Sequence, residues 1–160
     1  MKPEDISKLT TPGKYLVVQD NENFRGAVFL CRVRTGSIVP PGAIKVGEGQ
    51  YVVGFSRKCT HLGCTLVPDP GSEPGDLPTN DGLLSCRCHS SCFDLTNQGL
   101  PVIGPATDCL PAVRLCPTAD PNKVEITGWI QIGGVPYGVP YGETSATAKE
   151  APHVCPETLA

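Results

Sequence analysis

Two short boxes constrain this chain more than anything else in it: Cys59-Thr60-His61-Leu62-Gly63-Cys64 and Cys86-Arg87-Cys88-His89-Ser90-Ser91-Cys92-Phe93. Each box offers a thiolate and an imidazole at close spacing, and each carries a further cysteine. Two sulfur and two nitrogen donors can hold a zinc ion or, divided two and two between two irons, a [2Fe–2S] cluster. A zinc site of this kind is complete with Cys59, His61, Cys86 and His89 and has no use for Cys64 and Cys88. Whichever metal is held, the fold has to bring two distant loops face to face.

Composition narrows the fold that can do so. Eighteen glycines and seventeen prolines in 160 residues fit many short strands joined by turns and exclude long helices. A net charge of −3 gives no electrostatic case for nucleic acid as a partner. Apolar runs are too short for a transmembrane segment. No signal peptide is visible at the N-terminus, so the expected location is cytoplasmic for a full-length chain, and periplasmic or lumenal if an export signal was removed.

In chain order, residues 1–13 are polar and are expected to lie along the surface. Segments 14–19 and 27–34 read as strands joined by a turn at Asp20-Asn21-Glu22-Asn23. Pro40-Pro41-Gly42 breaks the next segment, and Gly47-Glu48-Gly49 turns into a strand at 51–57 that delivers the first box. The stretch 66–84 is proline-rich and acidic around 68–76 and reads as an exposed loop. Short strands at 83–86 and 92–95 enter and leave the second box. Segments 112–116 and 123–127 form a closing hairpin. Residues 143–160 read as a tail, either disordered or draped over a neighbour.

The boxes follow C-T-H-x-G-C and C-x-C-H-x-S, and in this they resemble the Rieske proteins that carry an inter-loop disulfide. The resemblance implies an all-β Rieske fold, an antiparallel β-sandwich base with an inserted cluster-binding subdomain. The expected domain is 1–142, with the cluster-binding part at about 58–106. It implies that Cys59 and Cys86 hold the inner iron of a [2Fe–2S] cluster and His61 and His89 the outer one. It also implies a Cys64–Cys88 disulfide with Cα atoms about 5–6 Å apart. Leu62, Ser91, Phe93, Gly104 and Pro105 complete the expected cofactor-binding residues. Ser91 would donate its hydroxyl to a bridging sulfide, and Gly104-Pro105-Ala106 resembles the loop that shields the cluster. Phe93 stands where many high-potential members have a tyrosine, Arg87 where proline is usual, and Ser90 where glycine is usual.

Neutral imidazoles in place of two thiolates raise the potential of such a cluster, and the outer imidazole nitrogens titrate more easily when the iron is oxidised. The chain would then be a one-electron carrier, with no catalytic residues of its own. The Ser91-x-Phe93 ending, the run from Val52 to Cys64, Leu110-Pro111-Ala112-Val113 and Tyr137-Gly138 resemble the small subunit of arsenite oxidase over about 27–138. That family implies a molybdopterin-containing subunit as donor and a cytochrome or cupredoxin as acceptor. The alternatives are the soluble domain of the Rieske subunit of a quinol-oxidising cytochrome complex and, in a different class, a zinc-stabilised interaction module. With three histidines in the chain, only His153 remains beyond the boxes, so an oxygenase iron site held by two histidines and a carboxylate cannot be built. Five cysteines lie outside the ligand set and the implied disulfide: Cys31, Cys92, Cys109, Cys116 and Cys155. Cys31 and Cys116, set in apolar strand patterns, are expected as buried small hydrophobes.

Overall fold

The computed structural model describes residues 3–19, 28–35, 39–66, 83–86, 88–106, 109–132, 135–136 and 155. The turn at 20–23, the loop at 68–76, Arg87, Tyr137-Gly138 and His153 lie outside the described residues. Every regular element among the described residues is a strand, and every pairing is antiparallel.

The centre is β3 (Val28–Arg34) paired along its whole length with β5 (Gln50–Ser56). Both are runs of β-branched and aromatic residues, the pattern of strands buried on two faces. β2 (Tyr15–Val17) and β4 (Ile44–Gly47) flank them, giving the order β2-β3-β5-β4. A second sheet, in the order β1-β10-β9, joins β1 (Glu4–Asp5), β10 (Lys123–Trp129) and β9 (Val113–Pro117). Gly54 lets the two sheets close: a Cβ there would lie 2.5 Å from Val113 Cγ2 and 2.9 Å from Leu30 Cδ2. The third sheet is β6 (Leu83–Ser85), β7 (Cys92–Asp94) and β8 (Leu100–Ile103), with β7 in the middle. β11 (Gln131–Ile132) and β12 (Val135–Pro136) form a small hairpin.

Two buried clusters hold these layers together. One gathers Leu30, Val52, Val113, Leu115 and Ile126 between the first two sheets. The other gathers Phe29, Phe55, Leu84, Phe93, Leu95 and Leu110, linking the central strands to the third sheet.

The N-terminal segment departs from the surface position expected of it. Glu4 and Asp5 pair with Val124 and Lys123, and Ile6 and Leu9 are buried in the first of the two clusters. Two apolar side chains spaced among polar ones suffice to dock the segment, because the polar neighbours keep to the water side. Cys31 is a buried free thiol as expected, and burial raises its pKa above the ordinary thiol range. Cys116 is buried too, but it is not free. It is bonded to Cys155, with Cα atoms 5.4 Å apart, so the expectation of a simple small hydrophobe is corrected.

Candidate metal centre

Each box is a loop closed on itself by backbone hydrogen bonds. After β5, Ser56 Oγ accepts from Lys58 N at 3.1 Å, and Lys58 bridges to Thr65 across the loop mouth. Inside, Cys59 N donates to Cys64 O and Gly63 N to Cys59 O, both at 2.8 Å. The second box is the tip of the β6–β7 hairpin, whose last pair is Ser85 with Cys92. There Cys86 N donates to Ser91 O at 2.7 Å and Ser90 N to Cys86 O at 3.0 Å. Ser90 takes φ +65°, a left-handed conformation that glycine adopts without steric cost. That is the physical reason glycine suits this position, and serine holds it here under strain.

These loops bring the expected donors together in two layers. Cys59 and Cys86 are each 1% exposed and stand in the same buried cluster as Leu66, Leu84 and Phe93. Burial pushes the Cys59 thiol up, and the neighbouring Cys86 adds to the effect. A thiolate in such a place needs a cation to hold it. His61 and His89 stand outside, with Nδ1 atoms 3.3 Å apart and rings 4.7 Å apart, edge to face. Their Nδ1 atoms face each other, so each Nε2, on the far side of its ring, points away from the meeting point. Cys64 and Cys88 are disulfide-bonded as the resemblance implied, with Cα atoms 6.4 Å apart. That is slightly wider than expected and within the range such bridges adopt.

The third loop packs onto the second box through contacts that no motif announced. Gly104 has φ +93°, and a Cβ there would lie 2.5 Å from Ser91 Cα and 2.7 Å from Ser91 N. Ala106 N donates to the buried Ser91 Oγ at 3.1 Å, which leaves the serine hydroxyl proton for another acceptor. Phe93 is fully buried. Pro105 is exposed, as is Leu62 at 54%. Among the described residues, two buried thiols and two converging imidazoles match in number and kind the mixed ligation of a [2Fe–2S] cluster.

The family model for the Rieske [2Fe-2S] domain matches residues 9–114. The chain belongs to the Rieske [2Fe–2S] domain family. It binds a [2Fe–2S] cluster and serves as an electron carrier, which sets aside the zinc-stabilised module. The cytochrome bc1 complex Rieske iron-sulfur subunit of Corynebacterium glutamicum is 37% identical over 95 residues, covering 57% of this chain and 21% of that protein. Iodate reductase subunit IdrB of Denitromonas iodatirespirans is 34% identical over 70 residues, covering 44% of this chain and 35% of that protein. The chain therefore spans well under half the length of either relative. Among solved structures, the soluble domain of Rieske protein II from Sulfolobus acidocaldarius aligns with 87% of this chain and 85% of that one. The TM-score is 0.47 at 20% identity.

Proposed function

We propose that Cys59, His61, Cys86 and His89 hold the cluster and that the chain is the electron-transfer subunit of a redox complex. The observation that carries this is the pairing of buried thiols below with converging Nδ1 atoms above. When bound, the cluster supplies one-electron chemistry at a potential raised by its imidazole ligands. The residues of the chain do the rest. Cys59 and Cys86 exclude water from the inner side, and the two histidines present their outer edges to a partner. Ser91 positions a hydroxyl, and the Cys64–Cys88 bridge holds the two loops at a fixed distance. The proposed cluster-binding part is about 58–106, within a domain of 1–142.

Exposed apolar side chains lie next to this tip. Leu62 follows His61, and on β8 Val102 and Ile103 are 50% and 64% exposed, with Ile103 paired to Cys92. Exposed apolar side chains of this kind suit a transient redox partner. The partner we favour is a molybdopterin-containing subunit like that of arsenite oxidase, with a cytochrome or cupredoxin as acceptor, on the strength of the Ser91-x-Phe93 ending. The bc1 relatives favour a second reading, the Rieske subunit of a quinol-oxidising complex. Purified chain should contain iron and acid-labile sulfide in equal amounts, and Cys59→Ser or His89→Ala should abolish both. Stoichiometric zinc without sulfide in iron-replete preparations would overturn the ligand assignment. Co-purification of the tagged chain from its own cell, read for molybdenum, separates the two complexes, since only the first contains it.

A further inference from the structure

Three sulfur atoms meet where the two boxes touch. The Sγ atoms of Cys64, Cys86 and Cys88 all lie within 4.8 Å of one another. Two of them form the Cys64–Cys88 bridge. The third, Cys86, is a free thiol and is buried. Its backbone is anchored on both sides, N to Ser91 O and O to Ser90 N, so the sulfur is held beside the bridge. Burial keeps dissolved thiols away from Cys86, while the bridge next to it is in effect at very high local concentration.

We propose that in the cluster-free chain Cys86 exchanges with this disulfide, giving Cys64–Cys86 and a Cys88 thiol. The Cys86 sulfur gives up its proton and attacks Cys64 Sγ with its electron pair. The Cys64–Cys88 bond breaks, and its electron pair leaves on Cys88 sulfur, which takes up a proton. One disulfide is present before and after, so neither oxidant nor reductant is consumed. Cys88 is the sulfur that leaves because it is exposed; water stabilises the departing thiolate there, whereas Cys64 is half-buried.

The consequence rests on the reading of Cys86 as a ligand. Exchange removes it from the ligand set, so the chain cannot take up a cluster until Cys88 attacks back. A Cys86 committed to iron has no electron pair for the bridge and keeps the bridge at Cys64–Cys88. Cluster loading and the position of one disulfide are thus a single linked equilibrium, a device that parks the cluster-free chain in a non-loading state.

The test is disulfide mapping of the full chain, cluster-loaded and after anaerobic removal of iron with a chelator. Thiols in both samples are blocked with N-ethylmaleimide in denaturant at mildly acidic pH, where buried and iron-bound cysteines become reactive and further exchange is slow, before non-reducing digestion and mass spectrometry. The Cys64–Cys86 linked peptide, together with labelled Cys88, should be about tenfold or more enriched in the cluster-free sample. The number of labelled thiols should stay the same, because exchange conserves it. In Cys86→Ser, Cys88 should remain unlabelled, which excludes opening of the bridge by an outside thiol. A cluster-free sample showing only Cys64–Cys88 with Cys86 labelled would overturn the proposal. So would a Cys59–Cys86 linked peptide with two fewer labelled thiols, since that is oxidation. Iron and sulfide content of the loaded sample reports separately on the ligand reading.

Discussion

Replacing Gly104 by alanine tests whether the third loop is held against the second box by close backbone packing. The perturbation is one methyl group. In the structure that carbon would sit 2.5 Å from Ser91 Cα, 2.7 Å from Ser91 N and 2.8 Å from Ser90 O. All three are backbone atoms, so no side-chain rotation relieves the contact. Two costs add. A non-glycine residue at φ +93° is strained by roughly 1–2 kcal/mol, partly offset by about 0.5 kcal/mol from a stiffer unfolded chain. Overpacking against fixed atoms adds roughly 1–3 kcal/mol. The net loss is about 2–4 kcal/mol, equivalent to roughly 5–15 °C in melting temperature for a chain of this size. Gly13→Ala is the matched control. Its φ is +96° and nothing lies within 4 Å of the new methyl, so it should lose only the conformational part, about 1 kcal/mol. The assay is urea unfolding of both variants beside the parent, with the visible spectrum recorded on each. Gly104→Ala should unfold earlier than Gly13→Ala and lose its cluster faster in the presence of a chelator. Equal destabilisation of the two variants would refute the packing argument, because the clash with Ser91 would then contribute nothing.

Four further outcomes are expected. Ser90→Gly relieves the left-handed strain at φ +65° and should stabilise by up to about 1 kcal/mol; a lower unfolding midpoint in urea would count against it. Cys155→Ser opens the bridge to Cys116, whose sequence separation is 39, and should cost about 4 kcal/mol by loop-closure entropy, read as a fall in melting temperature that leaves the cluster spectrum unchanged. Ser91→Ala removes the acceptor of Ala106 N–H and a hydroxyl donor, and should lower both the reduction potential and the stability, the latter by roughly 1–2 kcal/mol. Phe93→Tyr should raise the potential by on the order of tens of millivolts, a fraction of a hydrogen bond to a charged group; an unchanged potential in redox titration would show that the phenol does not reach a ligand sulfur.

The family was legible in the two boxes because the chemistry demands specific residue types at fixed spacing, and few other arrangements use Cys, His and a spare Cys twice. β3 and β5 were legible for a different reason: long apolar and β-branched runs have few alternatives to a buried strand. β4 and β8 were not. Ile44-Lys45-Val46 follows Pro40-Pro41-Gly42, which reads as a break, and it becomes a strand only because β5 presents an edge to it. β8 contains Pro101, which argues against a central strand and is tolerated because β8 is an edge. The Cys116–Cys155 pairing depends on where the chain returns in space, and spacing cannot supply that. Gly104 looked like part of a proline loop, while its reason for being glycine is a contact with a residue thirteen positions earlier.

The proposed boundary at about 58–106 cuts across the packing. The strands of the third sheet are only three or four residues long, too short to bury a core alone. Leu84, Phe93 and Leu95 instead share one buried cluster with Phe29, Phe55 and Leu110 from outside those bounds, and Cys59 and Cys86 belong to that same cluster. A Cβ at Gly99, in the turn from β7 to β8, would press on the Phe55 ring at 2.9 Å, so the turn rests directly on a central strand. The thiols are therefore held from below by the sheet that the sequence assigned to the base, and from above by loops with little core of their own. Such loops keep their geometry through backbone hydrogen bonds and a disulfide. This division explains why the histidine tip reaches the surface while Cys59 and Cys86 stay buried.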